Sequence, residues 1–207
     1  VCPSISDLGN SADLIIIAVT DKAIPGVAHM IGEFDGLVVH TAGSVNLDVL
    51  SGIFKNYGIL YPLQTFSKET AINLEEVPFF IEASSKQSHQ DIYDVAAKLS
   101  GKIFDADSRQ RMLLHVAAVF ASNYSNLMYT ISNELISHSG LPGEVLTPLI
   151  LETARKATTG DPLKMQTGPA RRKDADTIGK HLQSLAQQPE YAELYRLLAE
   201  MIIKKYH

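Results

Sequence analysis

Two hydrophobic periods divide the chain. Residues 13–19 (Asp-Leu-Ile-Ile-Ile-Ala-Val) form a continuous apolar run rich in β-branched side chains, which predicts a central parallel strand covered on both faces. A helical segment over 24–31 follows Asp21, and residues 36–40 make a second apolar run that ends in Thr41-Ala42-Gly43-Ser44. Together they read as a strand-helix-strand unit. Further strands are predicted over 58–61, 79–82 and 102–104, with a helix over about 88–99 that closes at Gly101. After Asp107 the period becomes 3.6, and helical stretches are predicted over 108–139, 143–158 and 177–206. The pattern therefore predicts α/β plus all-α: a layered α/β domain over residues 1–106 and an all-helical domain over 107–207.

The first long helix carries the most information. No Asp, Glu, Lys or Arg occurs from Met112 to Asn133, so it is expected to be buried on most sides. Helical spacing puts Leu113, Val116, Phe120, Tyr124, Leu127 and Ile131 on one broad face. His115, Ser122, Asn126 and Asn133 fall on the opposite face, with Asn123 at its edge. An uncharged polar stripe on a buried helix needs hydrogen-bond partners, which the floor of a ligand cleft or a neighbouring subunit could supply. A histidine satisfied within the core is the competing reading of His115.

Composition narrows the function. With 45% apolar residues, 20% charged residues and a net charge of −5, the chain has the make-up of an ordinary soluble protein and no electrostatic reason to bind nucleic acid or an anionic membrane surface. Cys2 is the single cysteine, so an internal disulfide is impossible, and a cytoplasmic location is expected. No Cys/His spacing suits zinc, and no apolar run reaches a bilayer's width. The sequence opens with residues 1–5 (Val-Cys-Pro-Ser-Ile) and has no Gly-x-Gly-x-x-Gly turn, from which a missing upstream segment is expected.

Open parallel sheets bind ligands at the carboxyl ends of their strands, so the loops starting at Thr20 and Thr41 are candidate nucleotide contacts. Thr20-Asp21 and Ser44 would serve equally well as helix caps. In the helical half, the turn Thr167-Gly168-Pro169-Ala170 leads into Arg171-Arg172-Lys173, with Asp174 as a potential N-cap. Paired guanidiniums suit a phosphate or carboxylate, and a solvated basic turn would look the same.

These segments together resemble a known family: the Rossmann-like proteins with the C-terminal helical domain called DUF2520, often described as coenzyme-F420-dependent NADP oxidoreductase-like. The likeness is carried by Asp13-Leu-Ile-Ile-Ile-Ala-Val-Thr-Asp21, His40-Thr-Ala-Gly-Ser44, Tyr61-Pro-Leu-Gln-Thr-Phe-Ser67, His115-Val-Ala-Ala-Val-Phe-Ala-Ser-Asn123 and Thr167-Gly-Pro-Ala-Arg171. It implies an N-terminally incomplete Rossmann-like domain, a helical domain of the dimerisation type, and a nucleotide cleft with Val19, Thr20, Asp21, Thr41, Ala42 and Gly43 on the cofactor side. The helical domain is similar to those of 6-phosphogluconate dehydrogenase and pyrroline-5-carboxylate reductase. Relatives of the former place a catalytic lysine and an asparagine on the first long helix, where this chain has His115 and Asn123.

The resemblance implies an NADP- or NAD-linked oxidoreductase acting on a small anionic substrate. His115 is expected as acid/base and Asn123 as a substrate-orienting group, with Gln64, Thr65, Ser122, Asn126, Thr167 and Arg171 as substrate contacts and a homodimer as the assembly. The alternative is a non-catalytic nucleotide-binding or structural homodimer, to which the missing lysine lends support.

Overall fold

The computed structural model describes residues 12–67 and 70–207; Cys2, residues 1–5 and the opening of the expected sheet domain lie outside them. The described chain forms two compact units, one ending at Asn126 and one beginning at Leu127. The change from alternating elements to consecutive helices falls earlier, after Asp105.

In the first unit, β1 (Leu14–Ile17), α1 (Ile24–Ile31), β2 (Leu37–His40), β3 (Asn56–Pro62), β4 (Phe79–Ala83), α2 (Lys86–Ala97) and β5 (Ile103–Asp105) follow one another. The strands make a five-stranded sheet in the order β1-β2-β3-β4-β5. β1, β2 and β3 run parallel, β4 is antiparallel to β3, and β5 is parallel to β4. Every strand and helix expected up to Asp105 is present.

β2 shows how the alternation of side chains builds two apolar layers. Leu37 and Val39 join Leu60, Phe79, Ile81 and the α2 residues Ile92 and Ala96 on one face. Val38 joins Ile17, Leu50, Phe54 and the α1 residues Ile24 and Ala28 on the other. Gly58 lets α2 come down on β3, because a Cβ there would meet Ile92 and stand 2.6 Å from the Glu82 carbonyl oxygen. β1 departs from expectation. It is an edge strand of the described sheet, and Ile16 is 47% exposed. An apolar run reports the strand and not the number of its neighbours.

α3 (Ser108–Ala118) starts at a reciprocal cap: the Asp107 carboxylate accepts from the Gln110 N–H, and the Gln110 side chain accepts from the Asp107 N–H. The long helix is not one α-helix. A π-helical turn (Val119–Tyr124) separates α3 from α4 (Ser125–Ser137). Nor is it buried on most sides, since Leu113, Val116, Phe120, Tyr124 and Leu127 are all close to half exposed or more. Periodicity identifies an apolar face but not what covers it.

The second unit continues with α5 (Thr147–Thr159), α6 (Pro162–Met165), α7 (Ala175–Ser184) and α8 (Pro189–Tyr206). The single helix expected over 177–206 is two, because Pro189 lacks an N–H and takes the first position of a new helix. Asp174 caps α7 as expected, accepting from the Thr177 N–H at 3.0 Å. Only Ala170, Leu185 and Ala199 are buried among this unit's apolar side chains. No helix of the described residues is long and apolar enough to cross a membrane.

Candidate active site

The loops that leave β1 and β2 lie side by side at the carboxyl end of the sheet, because their strands are paired in register from Leu14 with Leu37 to Ile17 with His40. They bring together Val19, Thr20, Asp21, Thr41, Ala42 and Gly43. Thr20 makes no side-chain cap. Ser44 instead donates its hydroxyl to the Asp21 carboxylate, which ties one loop to the other. The Thr41 N–H donates to the Ile17 carbonyl at 3.3 Å. Val19, although apolar, is 42% exposed here.

Beneath the second loop His40 is fully buried. Its Nδ1 accepts from the Ala42 N–H at 3.2 Å, so the proton of the neutral ring sits on Nε2. Burial first, and then the nearby Arg111 guanidinium, pull its pKa from the ordinary 6.5 down to about 4. A ring held neutral by the fold contributes its full stabilisation above pH 6.5 and loses it as the pH falls towards about 4. Over that window the loss is expected to be roughly 3 kcal/mol. Denaturant unfolding at several pH values should show a shallower acid slope for His40→Gln than for the wild type; parallel slopes would clear His40 of the effect.

Arg111, also fully buried, fixes the start of α3. Its guanidinium pairs with Glu82 of β4 and donates to the carbonyls of Val45 at 2.8 Å and Ala106 at 3.3 Å. Ser108 Oγ donates to the same Glu82 carboxylate at 2.9 Å and accepts from the Leu47 N–H at 3.2 Å. Sheet, β2 loop and helix are thus joined by one polar network, and His115 stands one helical turn beyond Arg111.

At the end of β3 a groove of about 280 Å³ opens, lined by Tyr61, Leu63, Gln64, Thr65, His115, Ala118, Val119, Ala121, Ser122 and Asn123. The Tyr61 hydroxyl lies 3.3 Å from His115 Nδ1, with the two rings edge to face. Burial pushes the Tyr61 phenol pKa up, so the phenol stays protonated. Ser122 and Asn123 sit in the π-helical turn, an irregularity often found at functional sites because it re-aims side chains that a regular helix would place elsewhere. Among its described residues the lining offers neutral hydrogen-bonding groups and an imidazole but no Lys or Arg. That set suits a small ligand with hydrogen-bonding heteroatoms.

Five of the expected residues therefore meet in one groove: Gln64, Thr65, His115, Ser122 and Asn123. Asn126 lies one turn further along the helix and is not part of the lining. Thr167 and Arg171 belong to the second unit. There the Arg171 guanidinium stacks 4.8 Å over the Tyr206 ring and its carbonyl accepts from His207 at 3.0 Å, while Thr167 borders a separate hollow with Lys156 and Gln166. Sequence reasoning quoted Tyr61 and His40 in its motifs but gave them no role, and it passed over Arg111 and Glu82. Among the described residues no three His, Cys, Asp or Glu side chains gather as a metal ion would require.

Parallel strands whose small-residue loops lie side by side at the carboxyl end of the sheet, followed by consecutive helices, define a Rossmann-like fold with a helical C-terminal part. The chain belongs to the family of the DUF2520 domain, a domain of unknown function whose model matches residues 77–202. Among solved structures it is similar to a "putative NADP oxidoreductase" from Bacteroides fragilis, with 42% identity and a TM-score of 0.92 over 98% of this chain and 80% of that one. A Thermotoga maritima protein superposes with a TM-score of 0.77 at 20% identity, over 96% of this chain and 80% of that one. Pyrroline carboxylate reductase from Plasmodium falciparum, solved with NADP bound, gives 0.56 at 14% identity, over 100% of this chain and 82% of that one. The last two show a shared fold. Among curated proteins nothing matches this chain.

Proposed function

We propose that this chain is a cytoplasmic NADP-linked oxidoreductase that moves hydride to or from the carbon of a small C=O or C=N substrate. The observation that carries the reading is the groove in which Tyr61, Gln64, Thr65, His115, Ser122 and Asn123 converge beside the two loops at the carboxyl ends of β1 and β2. The kinship with the Bacteroides fragilis "putative NADP oxidoreductase" supports NADP as the nucleotide. Thr20, Asp21, Thr41, Ala42 and Gly43 would hold the cofactor by close backbone approach, and exposed Val19 would be covered by it. The nicotinamide, when bound, supplies or accepts the hydride.

This chain's own residues handle the rest. His115 gives a proton to the substrate heteroatom, or takes it in the reverse direction. Asn123 and Ser122 orient that atom, and Gln64 with Thr65 closes the groove's outer wall.

The deciding experiment is NADPH binding by fluorescence, followed by turnover with small imines, oxo acids and hydroxy acids carrying or lacking a carboxylate. Oxidation of NADPH by an imine or oxo acid, or reduction of NADP+ by a hydroxy acid, supports the reading. Tight NADPH binding with no turnover across the series would instead favour a nucleotide-responsive protein without catalysis. The specific observation on that side is an imidazole, rather than the lysine of related dehydrogenases, at His115.

A homodimer is part of the same proposal. The apolar stripe Leu113, Val116, Phe120 and Tyr124 is exposed, and so are Leu149, Leu151, Leu197 and Met201 of the second unit. Exposed apolar surface of this extent, with so few buried side chains in the second unit, fits an interface that a second copy covers. Sedimentation at micromolar concentration is expected to give a dimer, and Phe120→Glu with Leu149→Glu should shift it towards monomer. A monomeric wild type would defeat the assembly while leaving the groove intact.

A further inference from the structure

We infer that Tyr61 is a positioning residue for His115, holding Nδ1 so that Nε2 is the nitrogen that exchanges the substrate proton, and that Gly43 sets where Tyr61 stands. The inference rests on the reading of His115 as the acid/base group.

The argument begins with geometry. The Tyr61 hydroxyl is 3.3 Å from His115 Nδ1, within the range that tightens when a ligand closes a site. The phenol is buried and holds its proton, so it meets the imidazole as a neutral partner. Which imidazole nitrogen carries the proton is set by what the other nitrogen bonds. Two arrangements are available, and the chemistry chooses between them. If the phenol O–H donated to Nδ1, the neutral ring would carry its proton on Nε2. Nε2 could not then accept a proton, and giving one up would leave an imidazolate. If Nδ1–H donates to the phenol oxygen, Nε2 takes and gives the substrate proton while Nδ1 keeps its own in both states. The proton that leaves Nε2 goes to the heteroatom of the carbon receiving hydride, and the imidazolium becomes the neutral Nδ1–H ring. The assigned donor is therefore His115 Nδ1–H and the acceptor Tyr61 Oη.

The second half concerns Gly43. A Cβ at this position would stand 2.6 Å from Tyr61 Cζ and 2.9 Å from its hydroxyl oxygen. The absence of that carbon lets the ring lie against the β2 loop, the loop assigned to the nucleotide. The loop that meets the cofactor thus also backs the ring that orients the acid/base group.

The test is long-range nitrogen–proton NMR of the full-length protein labelled with nitrogen-15 in histidine, at mildly alkaline pH where an imidazole is neutral. His115 is expected as the Nδ1–H tautomer in the wild type and as the Nε2–H tautomer, which free imidazole side chains prefer, in Tyr61→Phe. Gly43→Ala, with both rings intact, is expected to move His115 the same way. Turnover should fall roughly tenfold in Tyr61→Phe with the KM for NADPH unchanged, about the weight of one hydrogen bond. Adding Tyr61→Phe to His115→Gln should cost nothing further. A wild-type Nε2–H tautomer, or a tautomer that Tyr61→Phe leaves in place, overturns the inference. The spectra need no turnover, so failure of the oxidoreductase reading leaves them readable, and a working enzyme with an unmoved tautomer refutes this inference alone.

Discussion

Replacing Arg111 with methionine is expected to destabilise the sheet-bearing unit by about 3–5 kcal/mol, the cost of removing one partner from a buried ion pair. Methionine keeps much of the volume, so the loss is electrostatic. Glu82 would keep its hydrogen bond from Ser108 but lose its counter-charge, and the Val45 carbonyl would lose the donor that now stands at 2.8 Å. For a chain of this size a change of that order lowers the melting temperature by roughly 10 °C. The companion variant, Arg111→Met with Glu82→Leu, should recover most of the loss, because a well-packed apolar pair commonly substitutes for a buried ion pair at little cost. Denaturant titrations of the full chain measure both. A single variant within about 1 kcal/mol of the wild type would sink the claim that this pair holds α3 to the sheet, since surface pairs contribute no more than that.

Such a network is hard to read from sequence, and the reason is general. Arg111 looks like the last charge before an uncharged stretch, and nothing near it in sequence announces that Glu82 and Val45 will be its partners. Local periodicity, by contrast, is a local property, and it located the strands and helices of the first unit through Asp105. It also grouped His115 with Ser122 and placed Asn123 at the stripe's edge. What made the groove was the end of β3, where Tyr61, Gln64 and Thr65 arrive from far along the chain. The π-helical turn was invisible because inserting it changes no residue type, only the hydrogen-bond step. What covers the helix was illegible for a different reason. The apolar face from Leu113 to Tyr124 is real, but the same spacing describes a face covered by its own chain and one left for another. Arg171 shows a third limit: a basic residue in a turn invites an anion, yet here the Tyr206 ring occupies the guanidinium.

His115→Gln carries the largest functional effect expected of this chain. With whichever substrate class supports NADPH oxidation, turnover should fall by about 10²- to 10⁴-fold, the range for losing a general acid or base. Cofactor affinity should hardly change, because His115 lines the groove and not the β1 and β2 loops. Glutamine reaches a similar distance and keeps hydrogen-bonding capacity, but it cannot exchange a proton. The competing explanation is structural: His115 is half-buried and bonded to Tyr61 at 3.3 Å, so its loss could act by unfolding the protein. Magnitudes separate the two. One ordinary hydrogen bond contributes about 0.5–1.5 kcal/mol, which lowers the melting temperature of a chain this size by a few degrees. A domain stable by at least 5 kcal/mol would remain almost wholly folded after that loss. Unfolding therefore cannot supply a hundredfold drop at room temperature. Melting temperature, NADPH affinity and turnover measured on one preparation decide the matter. A variant that melts several degrees lower yet turns over normally per folded molecule would remove His115 from the mechanism and leave the groove with Asn123, Ser122 and Tyr61 as its remaining chemistry.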